Sequence, residues 1–147
     1  MKRLLSLILI FTMLMLVSCE EEKSAYDILT EFSRAYGIEG IIYSPELSEG
    51  VDGYITEGLI ERVFLFTDGM PRNFAVLLNT HIDNPSECGV FVCSDNVQVA
   101  RCEEIALERV RLFTSGVGFV KRRGRVVYYS TLSDSKRAEE LFKEIIR

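Results

Sequence analysis

The stretch Glu87-Cys88-Gly89-Val90-Phe91-Val92-Cys93-Ser94-Asp95 decides the reading of the fold. Val90 to Cys93 is apolar on both alternations, so Gly89 to Cys93, read as a strand, belongs in the interior of a sheet. Working outward, strand-like runs at Leu59 to Thr67 and Phe74 to Ile82 precede it. Asp68-Gly69-Met70-Pro71 and Asp83-Asn84-Pro85-Ser86 separate the three, which predicts a meander. On the other side a helix is expected from Val97 to Phe113, with Val99, Cys102, Ala106, Val110 and Phe113 on one face. Val117 to Lys121 and Arg125 to Thr131 then flank an Arg122-Arg123-Gly124 turn as a hairpin. A last helix runs from Ser133 to Ile146, turning Ala138, Leu141, Phe142 and Ile145 inward.

At the other end of the chain, Ser24 with Asp27 is a capping-box-like helix start. Ala25, Ile28, Leu29, Phe32, Ala35 and Tyr36 follow helical spacing until Gly37. Ile38 to Glu57, carrying Pro45, Gly50 and Gly53, reads as a short extended piece in a long surface connection. The pattern predicts a single α+β domain, 24–147: an antiparallel or mixed sheet of about five strands with helices packed on one face.

Residues 1–18 read as a signal peptide rather than as part of the fold. Lys2 and Arg3 precede an apolar run from Leu4 to Val17, and Leu16-Val17-Ser18-Cys19 resembles a lipobox, so cleavage before Cys19 and lipidation of its thiol are expected. The run is shorter than the roughly twenty residues of a spanning helix. An ordinary signal peptide with an incidental cysteine, or a short uncleaved anchor, are the alternatives. Residues 19–23 would form the lipidated cysteine and a tether, and four extended residues reach at most about 14 Å, which keeps the domain near the bilayer. The implied location is the extracytoplasmic face of the cell membrane. The only covalent addition expected is the diacylglycerol and acyl chain, such as palmitate, at Cys19; no other cofactor is called for.

The chain holds 17 basic and 22 acidic residues. Losing Lys2 and Arg3 leaves 15 against 22, a net of −7, which disfavours nucleic acid as a partner. The charge is uneven: Glu20 to Gln98 has 4 basic and 15 acidic side chains, Val99 to Arg147 has 11 and 7. Such asymmetry can steer a molecule toward a charged surface, provided that folding keeps the halves apart.

The run Glu87 to Asp95, the helix containing Glu108-Arg109-Val110, the basic hairpin and Ala138-Glu139-Glu140-Leu141-Phe142-Lys143 together resemble a family of small Firmicutes lipoproteins of unknown function. The likeness spans roughly Asn73 to Arg147 and is one of layout. It implies an extracytoplasmic, lipid-anchored domain and carries over no chemistry.

Lys121, Arg122, Arg123 and Arg125 are the candidate contact for an anion or a partner, with Arg109 and Arg111 as additions from the preceding helix. Anionic lipid headgroups, an envelope protein or an anionic envelope polymer would suit them; a solvated turn is the plain alternative. Cys93 and Cys102 straddle a strand-to-helix turn and form the candidate disulfide, whereas Cys88 and Cys93, five apart in a strand, stand too far apart to bridge. Free buried thiols are the competing reading. His81, Asp83 and a cysteine could be drawn as a thiol hydrolase, but no nucleophile motif surrounds any cysteine. The close cysteine spacings of structural zinc are missing, so no metal site is expected. No phosphate loop, Gly-x-Ser-x-Gly elbow or His-Glu-x-x-His stretch is present, so no catalytic residue is named. The reading is therefore a non-enzymatic binding or interaction module at the cell envelope, with a receptor for a small or polymeric anion as the alternative and a thiol enzyme third.

Overall fold

The computed structural model describes residues 22–66, 69–79, 85–113 and 117–147. The expected signal, Cys19, His81 and Asp83 lie outside the described residues. Helix α1 (Ala25–Tyr36) begins where Ser24 Oγ accepts from the Asp27 amide. It ends at Gly37, whose left-handed backbone (φ 79°) lets the Gly37 and Ile38 amides both reach the Ser33 carbonyl. Strand β1 (Ile41–Tyr43) is the extended piece within the first connection. After it come helix α2 (Glu57–Phe64), β2 (Asn73–Asn79), β3 (Ser86–Val92), α3 (Asn96–Phe113), β4 (Phe119–Arg123), β5 (Val126–Ser130) and α4 (Ser135–Ile145).

The five strands form one sheet in the order β1-β2-β3-β5-β4, and every pairing is antiparallel. The α+β single domain expected from the sequence is the architecture found. One detail is corrected: helices cover both faces of the sheet. Ala75, Leu77, Cys88, Val90, Val92, Val126 and Tyr128 pack under α1 and α4, while Phe74, Val76, Phe91, Val127 and Tyr129 pack under α2 and α3. The cause lies in the central strands. All of β3 and β5 is buried, so neither alternation is left for water and each face needs its own cover.

The second correction supplies that cover. Leu59 to Thr67 is expected to be a strand, but Glu57–Phe64 is helical, capped by Thr56 Oγ1 accepting from the Leu59 amide at 3.4 Å. Its inward residues are Ile60 and Phe64, one helical turn apart, and Leu59 and Val63 face outward. Phe64 then joins a ring cluster, edge-on to Phe74 at 5.1 Å, with Phe74, Phe91 and Tyr129 stacked in succession across three strands. The hairpin turn also shifts by a step, with Gly124 (φ 56°) and Arg125 linking Arg123 to Val126.

Helix α2 stops at Leu65, the one described residue other than glycine with positive φ (53°). Its amide and that of Phe66 both donate to the Glu61 carbonyl, a closure that glycine makes without steric cost. A side chain in this conformation costs about 1 kcal/mol, and Leu65 is 63% exposed, so little packing offsets that cost. Leu65→Gly is expected to raise stability by roughly 0.5–1 kcal/mol in urea unfolding, with Leu65→Ala giving no comparable gain. A loss of stability in the glycine variant would show that the Leu65 side chain matters more than its backbone.

Candidate functional site

The hairpin is built by strand alternation. Phe119 packs beside Tyr128 and Phe142 on the α1 and α4 face, and Val120 packs on the opposite face. Lys121 and Arg123 therefore share the first face and Arg122 takes the second. Lys121 Nζ lies 3.7 Å from Glu139 of α4, whose carboxyl Lys143 and Lys121 hold below its ordinary pKa. Arg122 Nε lies 3.8 Å from Glu103 of α3. The four basic residues expected to act together are thus divided, and two already face carboxylates.

Arg123 and Arg125 are different. They donate to backbone carbonyls, Arg123 Nη1 to Lys143 at 3.4 Å and Arg125 Nη1 to Ser94 at 2.7 Å. Neither has a carboxylate partner among the described residues. Both border a cavity of about 360 Å³ that also takes in Lys23 and Arg147 and is floored by Ile28, Val126, Ile145 and Ile146. Lys23 is tied down, its Nζ 2.7 Å from Glu31 and 3.2 Å from the Ile145 carbonyl. Glu22, on the same wall, is ion-paired with Arg72. A second recess of about 290 Å³, shared by Glu22, Lys23, Arg72 and Asn73, adjoins it. Asn73 Oδ1 accepts the first amide of α1 at 2.5 Å, which fixes where the chain enters the domain.

Arg109, expected to extend the basic surface, turns inward instead. Its guanidinium makes a two-point contact with Glu87, with Nε donating to Oε1 at 2.8 Å. The rings of Phe64 and Phe113 lie on it, each centroid 5.0 Å away. The carboxylate is fully buried on β3 and also accepts from the Tyr129 hydroxyl, while the Glu87 amide donates to Thr131 Oγ1 at 2.7 Å. Glu87 raises the Arg109 pKa, and burial followed by the Glu87 charge lifts Tyr129 well above its ordinary value. Tyr129 fits only because residue 89 is glycine: a Cβ there would stand 2.1 Å from its ring. Sequence reading passed over this cluster. The available signals were an acid opening a doubly apolar strand and an arginine following Cys102, Ile105 and Ala106 on the apolar side of a helix.

Cys93 and Cys102 meet as free buried thiols, hydrogen-bonded to each other, so the pair expected from the sequence is brought together in reduced form. The bond from Cys102 eases ionisation at Cys93 and makes that of Cys102 harder. Cys88 is buried beside Ser130 Oγ, 3.3 Å away, and burial pushes its pKa up to about 12, which suits a core residue rather than a nucleophile. Among the described residues, no group of three or more His, Cys, Asp or Glu side chains could hold a metal ion, and no helix is long and apolar enough to cross a membrane. Comparison with protein-family models, curated proteins and solved structures finds no match to this chain.

Two predictions concern the buried groups. Removing one partner of a buried pair strands the other, so Arg109→Met should cost about 3–5 kcal/mol, and adding Glu87→Gln should return most of it. A loss under about 1 kcal/mol in urea titrations would mean that water reaches Glu87. The second concerns alkaline pH. Cys88 and Tyr129 hold their protons in the fold above the values of 9.0 and 10.0 at which the unfolded chain loses them. Their contribution is full below about pH 9 and declines as pH rises toward 12, first through Cys88 and then through Tyr129. The urea midpoint should therefore fall between about pH 8 and about pH 10.5, and fall less in Cys88→Ala. An equal fall in both proteins would remove Cys88 as a cause.

Proposed function

We propose that the chain is a lipid-anchored extracytoplasmic lipoprotein, processed before Cys19, whose domain serves as a non-enzymatic binding or interaction module at the cell envelope. Two features support this reading. The first nineteen residues have the charge, length and terminal cysteine of a lipoprotein signal. The domain begins, at Glu22 and Lys23, on the wall of the cavity that Arg123, Arg125 and Arg147 also line. A tether from Cys19 of at most about 14 Å would hold that wall at the bilayer surface. The remaining surface would then be available to an envelope protein or an anionic envelope polymer.

A receptor for a small or polymeric anion is the second reading, and the cavity favours it. Three arginines that form no ion pair with an acidic side chain among the described residues border a space large enough for a small molecule. Arginine binds phosphate or carboxylate through two parallel N–H donors.

The anchor is tested by fatty-acid labelling in cells. The wild-type chain should take up label and run at its processed size, and Cys19→Ala should do neither. Continued labelling of the variant would overturn the assignment of residues 1–19. Chemical cross-linking of the tagged protein in living cells, followed by mass spectrometry, then tests the module. A recurrent partner lost in Cys19→Ala is expected, and an empty profile would favour the anion receptor.

A further inference from the structure

The register of the sheet gathers a site at one end of the molecule. Asn73 pairs with Val92 and Val92 with Val126, so the start of β2, the end of β3 and the start of β5 lie side by side. Asn73 also holds the first amide of α1, and Ile145, the last residue of α4, accepts from Lys23. The cavity at this end has two zones. Arg123, Arg125 and Arg147 supply cationic donors that form no ion pair with an acidic side chain among the described residues, and Ile28, Val126 and Ile145 supply an apolar floor. A free inorganic ion uses only the first zone; an anion attached to an apolar stem uses both.

We propose that this cavity binds the phosphodiester headgroup of an anionic phospholipid in the membrane to which the chain is tethered. The arginines take the phosphate, and the floor takes the glycerol and the first methylenes of the acyl chains. The proposal rests on the lipid-anchor reading for the position of the bilayer, and its chemistry stands on the cavity alone. Among the described residues Glu22 is the one acidic side chain on the wall, and it is engaged by Arg72. A bound headgroup would add a second point of attachment to the membrane beside the one that the tether supplies at this end of the domain.

The test uses the processed chain, 19–147, with Cys19→Ser, so that binding is independent of lipidation; the buried core of the described residues runs from Ala25 to Ile146 and is kept whole. This protein should sediment with phosphatidylcholine vesicles containing about a third phosphatidylglycerol and remain in solution with phosphatidylcholine alone. At about fivefold per arginine, Arg123→Gln, Arg125→Gln and Arg147→Gln together should weaken binding roughly a hundredfold. An equal loss of charge at exposed Arg34, Arg62 and Lys136 should weaken it less than about tenfold. Soluble dihexanoyl phosphatidylglycerol should shift the amide resonances of Ile28, Val126 and Ile145, with inorganic phosphate leaving them in place. The proposal is overturned if the control triple variant loses as much as the cavity variant, which would reduce binding to diffuse charge. It is equally overturned if phosphate shifts the same resonances or if the short-chain lipid shifts none. Lipidation is absent from every arm, so failure here leaves the anchor reading intact, and failure of the labelling experiment leaves this one intact.

Discussion

The two-sided burial of β3 is the constraint on which the rest of the structure depends. A strand whose neighbouring positions all need cover cannot lie on an open sheet, and the chain meets the demand with two helices on each face. The cost of that arrangement falls on Glu87. Placed at the start of β3 and fully buried, its carboxylate is met by Arg109 from α3 and Tyr129 from β5, while Thr131 bonds its backbone. One acid therefore ties together the central strand, its neighbour and a helix. Such a buried pair is weak evidence for net stability, but it penalises any register in which Arg109 and Glu87 fail to meet. Gly89 extends the same logic, because the space its missing side chain leaves is the space that the Tyr129 ring occupies.

Much of this was legible in the sequence, for local reasons. Ser24, Asp27 and Gly37 mark the ends of α1 through groups that act within a turn of the backbone, and the structure uses each as expected. The apolar run around Phe91 announces an interior strand without help from the rest of the chain. The region from Leu59 onward misled because it is short and rich in β-branched and aromatic residues, which favour strands. The helix is set instead by Ile60 and Phe64, and their targets, Phe74 and Phe91, come from distant strands. Two covered faces follow from the apolar character of both central strands, but only once the pairing of β3 with β5 is known.

The site was legible in part. The alternation of the hairpin could be read from its spacing, but the acids that meet Lys121 and Arg122 belong to α3 and α4, whose positions depend on packing. Arg109 looked like one more surface charge because a helix face is judged by its average, and a single inward arginine barely alters it. The cavity draws on the residues before α1, the hairpin turn and the end of α4. No segment of sequence contains it. The meeting of Cys93 with Cys102, by contrast, followed from a short connection and needed nothing remote.

The position of β4 has a further consequence. It is an outer strand of an antiparallel sheet, with no strand among the described residues paired to its far side, and Lys121, Arg122 and Arg123 occupy most of its length. At the opposite border β1 is only three residues long and is shielded by the following loop, with Ser44 hydrogen-bonded to Gly53 on one side and to Phe74 on the other. The basic run is therefore also a gatekeeper, since like charges keep two such borders from adding to one another as a continuous sheet. Anything that neutralised those charges would remove this protection, so the border of β4 is the place where loss of charge would open the sheet to another strand.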